Sequence, residues 1–78
     1  MNRKDLCTEL ISRTADESVR LKEVAVTNNH ENSFLTITVK KFNTERSIAD
    51  MRLILLAILF DVMPLEIGYE LIIVGFDK

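Results

Sequence analysis

Cys7, His30, the carboxylates Glu66 and Glu70, and the cations Lys40, Lys41, Arg46 and Arg52 are the side chains of this 78-residue chain whose types and spacing could do chemistry. A zinc site usually takes three or four ligands at set spacings, and one cysteine with one histidine falls short of that. A Cys–His nucleophile pair needs an exposed thiolate and a third group to orient the imidazole, and neither is indicated. Cys7 falls on the apolar side of a helical pattern and reads as a small core residue, while His30 falls in a polar turn. Glu66 and Glu70 share a segment of strand character, which sets them about 13 Å apart, too far to couple as an acid and base. With only Gly68 and Gly75 in the chain, there is no glycine-rich phosphate loop. No metal, cofactor or catalytic residue is expected, and an enzyme of this size would need a site formed between subunits.

The four cations are the strongest polar grouping. Lys40 and Lys41 close a strand pattern, and Arg46 and Arg52 flank the start of a helical one, where free N–H groups and the helix dipole attract a phosphate. Phe42 could stack on a base. Against this, ten basic and twelve acidic residues leave a net charge of −2, so there is no bulk attraction to nucleic acid or to an anionic membrane surface. Glu45 and Asp50 are also at hand to pair locally.

The elements that must position these groups follow from periodicity. Residues 3–13 place Leu6, Cys7, Leu10 and Ile11 at helical spacing. After the polar TADES, residues 19–27 gather β-branched side chains, and their alternation slips at Lys22 and Glu23, which predicts a strand with a bulge. NNHENS supplies turn chemistry at 28–33. FLTITVKKF then alternates, with Leu35, Ile37 and Val39 on one face and Thr36, Thr38 and Lys40 on the other, completing a hairpin. Thr44 or Ser47 can cap a second helix over 48–63, which Pro64 stops, and Ser47 with Asp50 approximates a capping box. The last segment, 65–76, alternates and then turns apolar on both faces, as a strand covered from both sides would.

The result is a single α+β domain over 1–78 in the order α-β-β-α-β. Its sheet is expected to be three-stranded and antiparallel, with strand order 2-1-3 and both helices on one face. That order of elements resembles hairpin-bearing KH-like RNA modules in topology alone, since the GXXG clamp of that family is missing.

A composition that is 47% hydrophobic with one proline indicates an ordered domain rather than a disordered tail. A single cysteine points to a reducing compartment, and the start MNRKDL lacks the apolar run of a signal peptide, so a cytoplasmic protein is expected. LILLAILF, residues 53–60, is the longest apolar run, and Asp50, Arg52 and Asp61 keep it far below the roughly 20 residues of a membrane span.

On a helical wheel that run divides into two seams. Ile48, Met51, Leu55, Ile58 and Val62 form one; Ala49, Leu53, Leu56, Phe60 and Met63 form the other, with Asp50, Ala57 and Asp61 as a wet stripe. One seam can lie on the sheet, and the first helix is too short to cover the second. The sequence therefore predicts a non-enzymatic, homo-oligomeric interaction module, a dimer or higher, with Leu53, Leu56, Phe60 and Met63 at the contact. A small regulator or inhibitor that binds a larger protein fits that description. The alternative is a nucleic-acid-binding accessory protein using the four cations, and an enzyme with an intersubunit site stands third.

Overall fold

A computed structural model of the protein describes residues 2–29, 34–63 and 68–75. Five elements follow one another: α1 (Arg3–Ala15), β1 (Val19–Asn29), β2 (Phe34–Thr44), α2 (Ile48–Val62) and β3 (Gly68–Ile73). Of the turn predicted over 28–33, Asn28 and Asn29 extend β1 instead, and His30 to Ser33, together with Pro64 and Glu66, lie outside the described residues.

Both helices begin on side-chain caps. Asn2 Oδ1 accepts the Asp5 N–H at 2.8 Å, and Ser47 Oγ accepts the Asp50 N–H at 3.1 Å, each satisfying a donor that has no partner within its helix. Ser47, not Thr44, is the cap of α2. Thr44 instead donates from its hydroxyl to Ser18 O at 2.9 Å and accepts the Arg46 N–H at 3.1 Å, tying the end of β2 to the turn before β1.

β1 and β2 pair antiparallel, and their register shifts at Leu21/Glu23 and Glu23/Val24, where the sequence predicts a bulge. The alternation slips in both strands at this level. Leu21 and Val24 both turn to the helices around exposed Lys22 and Glu23, as Val39 and Phe42 do around exposed Lys40 and Lys41. The ladder therefore keeps its apolar face through the irregularity.

The sheet corrects the expected topology. Its order is β1-β2-β3, and β3 runs parallel to β2 and beside it, so the sheet is mixed and neither antiparallel throughout nor ordered 2-1-3. The reason is where the helices lie. α1 packs over β1 and alongside α2, which leaves α2 the space over the rest of the sheet. A 15-residue helix spans about 22 Å and returns the chain to the start of β2, where the nearest vacant seat is the open side of β2 itself. Reaching the far side of β1 would take the chain across two more strands.

One core joins the layers, with Leu6 and Leu10 from α1, Met51, Leu55 and Leu59 from α2, and Val19, Leu21, Val26, Leu35, Ile37, Val39 and Phe42 from the hairpin. Ile11, expected in the core stripe, is exposed, and Thr14 takes a buried place instead, its hydroxyl donating to Leu10 O at 2.6 Å. β3 is half-buried on its helix side at Tyr69, Leu71 and Ile73, while Ile72 and Val74 are exposed. The expectation of a final strand covered on both faces does not hold within one chain.

Candidate functional site

The inner side of α2 is set by Met51, Leu55 and Leu59, all fully buried. Leu59 belongs to neither seam read from the sequence, and Ile48 of the first seam is exposed at the helix start. At 100° per residue, Leu53 and Phe60 lie within about 40° of the point opposite Leu55, which places them on the outer face. Leu53 is 66% exposed and Phe60 57%, with exposed Ala49 and Ala57 around them and half-buried Leu56 on the flank toward β3. Met63 is set apart from these three. It caps α2, packs against the core and borders a hollow with Leu6, Val26 and Leu35.

The flank of α2 beside α1 is polar at its rim. Arg13 Nη1 meets Asp61 Oδ2 at 2.7 Å across the two helices, above a groove floored by Ile54, Ala57 and Ile58. Both partners are well exposed, so this pair contributes about 0–1 kcal/mol.

The four cations do not share one surface. Arg46 Nε donates to Glu17 O at 2.7 Å and its Nη2 lies 3.9 Å from the Glu17 carboxylate, which directs it to the α1–β1 turn. Arg52 turns to the opposite edge of the sheet, where its Nη1 donates to Leu71 O of β3 at 3.2 Å. Lys40 and Lys41 are exposed at the β1–β2 irregularity. Sequence adjacency brought the four together; the strand and helix directions separate the two arginines.

Cys7 is half-buried, and its thiol points to Val24 O at 3.9 Å. Burial pushes the thiol up from its ordinary value, because the thiolate loses hydration. Alkylation by iodoacetamide at neutral pH is expected to run several-fold slower in the folded chain than in urea, with its pH midpoint above that of free cysteine; fast reaction at neutral pH would reveal an activated thiolate. Tyr69 is likewise pushed up by burial. Its hydroxyl lies 3.3 Å from Leu59 O and close to Met63 O, the carbonyls that end α2. Both shifts favour the protonated group in the fold. Their contribution is complete below the ordinary thiol and phenol ranges and is lost as pH rises through the raised values.

Among the described residues, no three histidine, cysteine or carboxylate side chains group as a metal site, and no helix is long and apolar enough to cross a membrane. Glu70 is exposed on β3, and its expected companion Glu66 and His30 lie outside the described residues. Comparison of the chain with models of protein families, with curated proteins and with solved structures finds no match.

Proposed function

We propose that the protein is a self-associating interaction module, a homodimer in its simplest form, whose contact is the outer face of α2. The observation that carries this reading is the exposure of Leu53 and Phe60 on a helix whose inner face is already filled by Met51, Leu55 and Leu59. Covering such side chains recovers on the order of 1–2 kcal/mol each, and a two-fold pair counts each one twice. Exposed Ala49 and Ala57 beside them let a second helix approach closely. Action by binding, as a small cytoplasmic regulator or inhibitor of a larger protein, accords with a chain whose one thiol is held protonated and whose two arginines in the basic group already have internal acceptors.

Light scattering on a size-exclusion column tests it. The wild-type chain is expected at twice the chain mass at high micromolar concentration, and Phe60→Glu at the single-chain mass with an unchanged circular dichroism spectrum, because an exposed residue can accept a charge without loss of the core. A wild-type monomer at that concentration sinks the proposal.

A further inference from the structure

The outer edge of β3 is a second surface, independent of α2. Val74 N–H donates to Val39 O at 2.9 Å, so Val74, Ile72 and Glu70 turn their backbone groups to β2. By the alternation of a strand, the N–H and C=O of Tyr69, Leu71 and Ile73 turn outward, where no described element pairs with them. The other open edge, that of β1, is broken by the register shift and bears Arg20, Lys22 and Glu23, devices that blunt strand addition. β3 has no register shift and one charge, Glu70. The outward carbonyl of Leu71, midway along this edge, is the one that Arg52 Nη1 covers.

We propose that Arg52 is an edge guard, masking a self-complementary strand whose partner, once the guard is removed, is β3 of a second copy. The self-complementarity lies in the register. An antiparallel pair centred on Leu71 sets Leu71 against Leu71 and Tyr69 against Ile73, so every outward N–H and C=O finds a partner. Glu70 then stands opposite Ile72 and never opposite itself, which removes the like-charge contact that would forbid the pairing. Among the described residues, the donor that occupies this edge, Arg52 Nη1, stands at the centre of that register.

Arg52→Met keeps the stem and the helix while deleting the donor. At high micromolar concentration it is expected to show twice the mass of its parent by light scattering, with the Leu71 and Ile73 amides exchanging about tenfold more slowly as the edge becomes paired. Arg52→Lys, which can still reach the carbonyl as a donor, is expected to match the parent. Arg52→Ala is read in the same way and replaces the methionine variant if that chain misfolds. The same pair of measurements in a Phe60→Glu background separates the two surfaces: doubling that persists there belongs to the edge, and doubling that disappears belongs to α2 and overturns the guard. Unchanged mass and unchanged exchange in both Arg52→Met and Arg52→Ala overturn it as well.

Discussion

Leu55→Ala is expected to cost about 2–5 kcal/mol, whereas Leu53→Ala, two residues away on the same helix, is expected to cost within about 0.5 kcal/mol. Leu55 is fully buried, midway between Met51 and Leu59 at the centre of the inner face of α2, and cutting it back leaves a cavity that a core this small cannot collapse around. A domain of this size has a net stability on the order of 5 kcal/mol, so the first variant should be largely unfolded near physiological temperature. Leu53 is mostly wet and its removal takes little from the single-chain fold. Urea unfolding at low micromolar concentration, where association contributes least, reads the difference directly. Equal costs for the two leucines would mean that Leu53 is buried in the folded unit, and the outer face of α2 would no longer be a free surface.

The same contrast shows where the sequence is informative and where it stops. FLTITVK announces its inward residues because one face of β2 is apolar and the other carries threonines, and Leu35, Ile37 and Val39 are buried as that pattern requires. The bulge is legible for a similar reason, since strict alternation from Val19 and Leu21 would carry Glu23 onto the apolar face, and a slip there keeps both Lys22 and Glu23 exposed. In α2 the signal fades. Apolar residues occupy so many positions between 48 and 62 that no wide polar face orients the helix, and Leu59 escapes assignment. The spacing of four and three sets Leu53 and Phe60 on one side of the helix, and both are exposed, while Leu56 of the same seam is half-buried. Met63 fails to follow them because the helix ends there.

Neighbour relations are harder to read than faces. Alternation in 65–76 says which side chains share a side and nothing about which strand lies beside them, so the choice of β2 over β1 depends on where α1 leaves room. Arg52 is the sharpest case. Its partner is a backbone carbonyl, which has no residue type and leaves no mark in the sequence, and the grouping with Lys40, Lys41 and Arg46 suggested an anion instead.

Gly75 marks the same limit from the other side, and replacing it by alanine is expected to loosen β3. Its φ of +74° lies in the left-handed region, which costs a residue with a side chain about 1–2 kcal/mol. The space is closed as well. A Cβ on Gly75 would land well inside contact distance of Lys40 O, a backbone atom held in the β2 ladder, and relieving that overlap costs about 1–3 kcal/mol more. The cheapest relief is for the end of β3 to lift from β2, which breaks the bond from Val74 N–H to Val39 O, while the ladder nearer Gly68 and the contacts of Tyr69 with the carbonyls that end α2 keep the rest of the strand in place. Gly68, whose φ is not in the left-handed region, is the control, and alanine there is expected to change stability by less than about 1 kcal/mol. Urea midpoints for the two variants and the exchange rate of the Val74 amide decide the matter: Gly75→Ala should lower the midpoint and expose that amide, and a Gly75→Ala chain as stable and as protected as Gly68→Ala would show that β3 is not held at Lys40.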